Sequence, residues 1–396
     1  MIDRIAGQHD VDKKLHRPGD PIEMRVFKEM TKRILLMAAV FCLYCSAVSA
    51  GAAPEACPSA ADDLPALIRV SAPLDFCGEA VPLHIPQVRE RLEREMLISL
   101  GNRAQVILWI KRSGRHMPYI EKALRDNGMP DDLKYLAIAE SALRIHAGSV
   151  KGAKGIWQFM EATGVKYQLK VNGEKDERFS FFSATGAALQ YLKELNTLFR
   201  SWTLAAAGYN MGESGLKAEM LVQKTGDYYK LYLPLETQQY IFRILSAKLI
   251  LSNPARYGFN LMPGDIYTPE PFDRIEIVCP QDAPIQLIAA AAKTHFKVIK
   301  DMNPEIRGYY LSRGPHQLLI PGGSADGFQE RFTTLFNQWL ADREAHIYVV
   351  RKGDSLSSLA AQFNVPLQAL LVWNRIPAKK QLNPGDRLII FPDRIQ

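Results

Sequence analysis

The sequence predicts a mainly α protein, with one helical globular domain followed by small βααβ modules. Three observations point there. Between residues 88 and 258 nearly every apolar run repeats at the three-and-four spacing of a buried helix stripe. A proline-rich stretch, NLMPGDIYTPEP (260–271), interrupts that pattern and reads as a linker. Beyond it, short β-rich runs flank short helical ones, twice over and with the first copy the more degenerate.

The chain has 396 residues, 47% of them hydrophobic and 23% charged, which suits one large domain plus accessories. Its net charge of +7 is spread without a dense basic tract, which fits an anionic polymer such as cell wall better than nucleic acid. Lys32 and Arg33 precede the apolar run ILLMAAVFCLYCSAV (34–48), which closes on small residues. This predicts a signal peptide cleaved after Ala50 and export to the periplasm or cell envelope. An uncleaved anchor is the alternative, although the run is short for a span of about 20 residues. Residues 1–29 are polar, and Met24 or Met30 are alternative starts. Neither Leu43-Tyr44-Cys45 nor Glu55-Ala56-Cys57 forms a good lipoprotein box, so membrane association stays open. Cys57 and Cys77 could close a local loop and leave Cys279 over, the alternative being three free thiols. No Cys/His cluster has metal-ligand spacing, and neither a metal nor a cofactor is predicted.

Residues 51–87, rich in Ala, Pro and Asp, read as an irregular lead-in. Helices are then expected over 88–111 and 118–127. They lead to the stretch around which the chain is organised, PDDLKYLAIAESALRIHAGSVKGAKGIWQFM (130–160). Pro130, Asp131 and Asp132 supply a helix start. Leu133, Leu136, Ala137 and Leu143 form its apolar stripe, and Glu140 falls on the same stripe. A carboxyl group placed there loses water, which favours its proton-carrying form. Such a group can hand a proton to a leaving oxygen near neutral pH. The bland alternative is a surface ion pair with Arg144, one turn on. Gly148, Gly152 and Gly155 mark a loop that lets backbone approach a ligand, and Ile156 is expected to begin a short helix ending at Thr163-Gly164.

Further helices are expected over 179–198, over 202–207 with an end at Gly208 and Gly212, and over 234–251 with a stop at Asn253-Pro254. In the tail, residues 272–321 give a strand, a helix over 283–294, a turn at Met302-Asn303-Pro304 and a closing strand. Residues 326–344 read as a connecting helix within the segment 322–345, and 346–391 repeat the βααβ order more cleanly.

Four polar clusters stand out among the apolar helices, and each alone has an ordinary explanation. Trp157 could be a core aromatic, Gln158 a solvated residue, Tyr209-Asn210 a helix cap, and Tyr240 plain packing. Their order and wording are more specific: Glu140-Ser141, Gly155-Ile156-Trp157-Gln158, Tyr209-Asn210-Met211-Gly212, then Pro234 to Tyr240 (PLETQQY). Together with Asp176-Glu177-Arg178 and NPARYGF (253–259), this series resembles the catalytic domain of the membrane-bound lytic murein transglycosylase D family. That family belongs to the goose-lysozyme-like soluble lytic transglycosylase (SLT) class. The resemblance covers about 89–259, and the domain is placed at 88–259. One departure is Gly208, where the family usually has Ala. The tail YVVRKGDSLSSLAAQF…LNPGDRLIIF is similar to a LysM module, and residues 272–321 look like a degenerate copy.

The resemblance implies a lysozyme-like fold and a lytic transglycosylase acting on peptidoglycan glycan strands. LysM would bind N-acetylglucosamine polymer. Glu140 would be the sole catalytic carboxyl. Tyr209 and Tyr240 would hold it in place, and Ser141, Gln158 and Asn210 would bond sugar substituents or orient the acid. The Gly155 backbone would let the glycan lie close. Two-carboxylate glycosidases need a second acid; none occurs in these motifs, although Glu161, Glu174 and Asp176 lie nearby in sequence. The rival readings are a hydrolase of the same fold using water, and a wall-binding protein without activity.

Overall fold

The structure, a computed structural model, describes residues 64–391. The signal segment, its cleavage site after Ala50 and Cys57 lie outside the described residues. The described chain opens with a one-turn helix, α1 (Leu64–Leu67), and a tight hairpin of β1 (Asp75–Phe76) and β2 (Glu79–Ala80), where an irregular lead-in was expected. Leu74, Phe76, Val81 and Leu83 are buried in the helical core, which is why this segment is ordered. The Asp132 carboxylate accepts from the Cys77 N–H and from Lys248, pinning the hairpin to two helical elements. Cys77 and Cys279 are free thiols.

Helices α2 (Pro86–Gly101) and α3 (Arg103–Asp126) follow. They divide at Asn102, whose side chain accepts from the Gln105 N–H and caps α3. The helix expected over 88–111 is therefore two. Pro118, expected to begin a helix, sits inside α3; its neighbours Met117 and Ile120 are buried, and that packing outweighs one lost backbone bond.

A 3-10 turn (Asp131–Lys134) leads into α4 (Tyr135–Ser141). Then come α5 (Glu161–Lys166), α6 (Phe181–Phe199), α7 (Trp202–Met211), α8 (Glu213–Gln223) and α9 (Leu235–Ser252). Helix α7 runs past Gly208 to Met211 rather than ending at the glycine. A Cβ at Gly208 would lie 2.9 Å from the Phe199 ring and 3.2 Å from Leu195, so glycine here lets α6 and α7 approach closely. Helix α9 buries Tyr240, Ile241, Phe242, Ile244, Leu245 and Ala247 and packs on α2, α4 and α7, which makes it the centre of the domain.

The segment 260–271 is pinned along α3: the Tyr267 N–H donates to the Lys111 carbonyl at 3.0 Å. A Cβ at Gly114 would sit 2.2 Å from Ile266, so the crossing requires a residue without a side chain. Beyond it, β3 (Phe272–Cys279), β4 (Ala283–Pro284), α10 (Ile285–Ala291), α11 (Phe296–Met302), β5 (Tyr310–Leu311), β6 (Gly314–Pro321) and α12 (Phe328–Ala345) form a second cored unit. Strands β3 and β6 pair antiparallel from Phe272↔Pro321 to Cys279↔Gly314. The single helix expected over 283–294 gives way to α10 and α11, split near Lys293 at positive φ. Phe328, Phe332 and Phe336 of α12 fill the same core as Ile277 and Leu318, so this helix belongs to the unit and does not merely connect.

The third core holds β7 (Ile347–Val349), α13 (Leu356–Gln362), α14 (Leu367–Asn374) and β8 (Arg387–Ile389), with β7 antiparallel to β8. The two βααβ units close with the same clasp. The Asn374 amide donates to the Leu370 and Ile389 carbonyls and accepts from the Ile389 N–H. Asn303 does the same with Ile299 and Leu319. One asparagine, buried at Asn303 and half-buried at Asn374, thus ties the second helix of each unit to its closing strand.

The second unit joins the helical domain through Asp176. Its N–H donates to the Glu305 carbonyl, and its buried carboxylate bonds Arg178 at 2.8 Å and Arg307 at 2.7 Å. Burial opposes the charge, but the two arginines hold the carboxyl below its usual range. Asp176→Asn is expected to cost about 2–3 kcal/mol, read as a lower urea midpoint at pH 7, because two arginines then face a neutral amide. The difference should vanish as the pH falls through the lowered pKa of Asp176. No helix among the described residues is long and apolar enough to cross a membrane.

Candidate active site

Helix α4 is short because the chain turns left-handed at Ala142 and Leu143, with φ of 55° and 59°. The Ala142 N–H reaches the Ile138 carbonyl and the Leu143 N–H reaches that of Ala137, closing the helix without glycine. Two non-glycine residues in this region store backbone strain immediately after Glu140-Ser141. Ser141 is buried, and its hydroxyl donates to the Ile156 carbonyl at 2.8 Å, so it ties the helix end to the 155–158 turn and does not face a ligand. Arg144 donates from Nε to the Ser141 carbonyl at 3.0 Å and makes no ion pair with Glu140. The surface-pair alternative for Glu140 is therefore not what the chain does.

Glu140 keeps a partly exposed face, while its carboxyl is enclosed by α9. Tyr240 Oη donates to its Oε1 at 2.5 Å. Burial pushes the carboxyl up to about 7; the Tyr240 bond and the Arg243 charge pull it down, and the Glu236 charge adds to the rise. Tyr240 and Tyr209 are themselves held well above their ordinary range, chiefly by burial and then by the Glu140 charge, so both remain donors. Tyr209 does not bond Glu140 as expected. Its hydroxyl donates to the Trp157 carbonyl at 2.8 Å, and its ring packs on Tyr191.

The segment 147–159 is a pair of interlocked turns and not a helix start. Gly155 donates to the Ala147 carbonyl, and Lys154 and Phe159 exchange backbone bonds. Trp157 is wholly buried with its indole N–H on Thr185. Gln158, at φ 48°, donates its side-chain amide to the Gly155 carbonyl at 2.7 Å. A Cβ at Gly155 would fall 1.7 Å from the Arg178 carbonyl, so the missing side chain permits a close internal crossing. Asn210 accepts from the Thr237 hydroxyl at 2.8 Å, and its amide N–H groups have no hydrogen-bond partner among the described residues.

The three nearby acids sit apart from this arrangement. Asp176 is locked between arginines, Glu161 lies 3.9 Å from Arg178, and Glu174 lies 3.9 Å from Arg375. Sequence reasoning missed Glu236, Thr237 and Arg243. All three lie three or four residues from Tyr240, so helical spacing along α9 would have placed them on its face. Tyr240→Phe is expected to move the alkaline limb of any Glu140-dependent activity to higher pH, since the bond that lowers the Glu140 pKa is lost. A pH–rate profile of the variant checks this; a limb that stays put would separate Tyr240 from the titration.

Glu140, a half-buried acid on a short helix braced by a tyrosine of a central helix, lies in a domain whose class, lysozyme-like and SLT, the family match shows. The profile of the Transglycosylase SLT domain family matches residues 117–231, and that of the LysM domain matches 348–391. The chain is similar to the membrane-bound lytic murein transglycosylase D of Escherichia coli strain K12, being 31% identical over 329 residues. The match covers 80% of this chain and 72% of that protein, and the protein of the same name from E. coli O6:H1 matches equally. An Alteromonas sp. (strain M-1) protein named for tributyltin chloride resistance is 29% identical over 110 residues, 27% of this chain and 53% of that protein. The chain belongs to the membrane-bound lytic murein transglycosylase D family. Tyr240 lies beyond the SLT match, although it makes the hydrogen bond to Glu140.

Proposed function

We propose that this chain is a lytic transglycosylase that cleaves the β-1,4 bond between N-acetylmuramic acid and N-acetylglucosamine in peptidoglycan. The observation that carries the reading is Glu140, a carboxyl raised to about 7 that, among the described residues, has no ion-pair partner; the neighbouring acid, Glu236, is exposed and lies 3.8 Å from Lys151. Protonated Glu140 gives its proton to the glycosidic oxygen, and the bond from that oxygen to muramoyl C1 breaks. The muramoyl C6 hydroxyl then attacks C1 and returns its proton to Glu140. The product is a 1,6-anhydromuramoyl end, and no water is consumed. Intramolecular attack needs no second reactant to be captured, an advantage worth effective molarities of about 10⁵ M or more in good cases.

In this reading Tyr240 holds Glu140 directly. Ser141, Gln158 and Tyr209 act one step back by fixing the turn that faces it, and Asn210 offers its free amide to a sugar substituent. We place the catalytic domain at 88–259, with the hairpin of 64–87 packed on it, and the wall-binding modules at 272–345 and 346–391. LysM would retain the enzyme on wall glycan in the cell envelope after export. The test is the mass of the ends released from purified wall. Anhydro ends are expected; ends heavier by one water, with no anhydro sugar, would make the protein a hydrolase.

A further inference from the structure

The 152–159 segment ties the end of the Glu140 helix to α7: its Ile156 carbonyl accepts from the Ser141 hydroxyl and its Trp157 carbonyl from Tyr209. Arg178 holds the two ends of the same segment, its Nη1 donating to the Gly152 carbonyl at 3.2 Å and the Phe159 carbonyl at 3.5 Å. The other guanidinium nitrogens, Nε and Nη2, fork onto the two carboxylate oxygens of Asp176 at 2.8 Å each. The Asp176 side chain is 1% exposed and that of Arg178 5%, so water does not replace these bonds. Glu161, exposed and 3.9 Å from Arg178, is a weak second partner. A third donor reaches Asp176 from outside the helical domain: Arg307 Nη2 of the second unit, 2.7 Å from Oδ2. The backbones run side by side there, with the Arg307 N–H on the Glu174 carbonyl and Lys175 bridged to Ile306. A carboxylate offers about four lone-pair sites. Arg178 takes one on each oxygen and Arg307 a further one on Oδ2. Arg307 is 46% exposed, so its own charge stays solvated, and its removal opens Oδ2 to water and loosens the fork.

We propose that Arg307 is a positioning residue for the cleavage reaction: through Asp176 and Arg178, the second unit braces the segment that fixes the Glu140 helix. The inference rests on the proposed function for the reaction by which it is measured. Arg307 acts through two intermediaries, so it sets how well Glu140 is aimed and not how tightly glycan is held. The second unit therefore does more than retain wall, and a glycan too short to reach the tail still depends on it.

The experiment compares full-chain wild type, R307Q and R307K on a soluble tetrasaccharide of alternating N-acetylglucosamine and N-acetylmuramic acid, at a temperature where all three are folded. R307Q is expected to lower kcat about tenfold and leave KM within about twofold. R307K keeps a charged donor for Asp176 and should recover most of the kcat. Amide hydrogen exchange of 152–159 should be about tenfold faster in R307Q, with α2 protected as in wild type. A kcat within about twofold of wild type, a loss confined to KM, R307K as slow as R307Q, or unchanged exchange in 152–159 would overturn the proposal. R307M, which keeps the aliphatic stem, supplies the same comparison where R307Q does not fold. The ends released are weighed separately. Ends heavier by one water, with kcat still lost in R307Q, would overturn the proposed function alone; anhydro ends with kcat retained would overturn only this inference. In a protein that does not turn over the tetrasaccharide, the exchange comparison decides it.

Discussion

Glu140→Gln is expected to reduce release of soluble muropeptides from purified wall by about 10³-fold or more. General acid catalysis contributes about 10²–10⁴ in rate, and in the proposed cycle one carboxyl serves as both acid and base, which puts the loss toward the upper end. Gln keeps the shape and can still accept from Tyr240, so the loss would reflect the missing proton and not a collapsed site. A variant clearing wall at more than about a tenth of the wild-type rate would remove Glu140 from the reaction. The same substitution carries a stability signature. Between pH 4.5 and about 7 the folded protein holds a proton on Glu140 that the unfolded chain releases, so wild type loses stability as pH rises through that window. Gln does not titrate. The variant should gain on the order of 1–3 kcal/mol over wild type at pH 8 and nothing at pH 4. Urea unfolding at the two pH values reads the difference.

Gly155→Ala is the second large effect, and it falls on folding. The residue sits at φ +81°, and its Cβ would meet the Arg178 carbonyl oxygen at 1.7 Å, a backbone atom that cannot swing aside. The clash and the disfavoured φ together should cost about 3–5 kcal/mol, seen as a large drop in thermal midpoint. The 155–158 turn also receives the Ser141 and Tyr209 hydroxyls, so activity should fall with stability. A variant as stable as wild type would mean that the crossing is looser than drawn.

Much of the fold was legible because its signals are local. Leu133, Leu136, Ala137 and Leu143 announce a buried stripe by spacing alone, and Glu140 on that stripe announces a dehydrated acid. Element ends were less legible where packing overrode propensity. Pro118 stays inside α3 between buried neighbours, and Gly208 stays inside α7 because the approach of α6 needs it. Roles inside the site were the least legible. Ser141 and Tyr209 carry the residue types that bind sugars, yet each spends its hydroxyl on a backbone carbonyl of the 155–158 turn.

The sequence by itself determined the helical class, the modular tail and the acid placed to lose water, since each depends on residues close together along the chain. Only the tertiary structure decided who holds that acid and that Asp176 is consumed by two arginines. The physical reason is that the enclosure around Glu140, and so its raised pKa, is built by a helix about one hundred residues away, and no local pattern records which distant groups share one low-dielectric space.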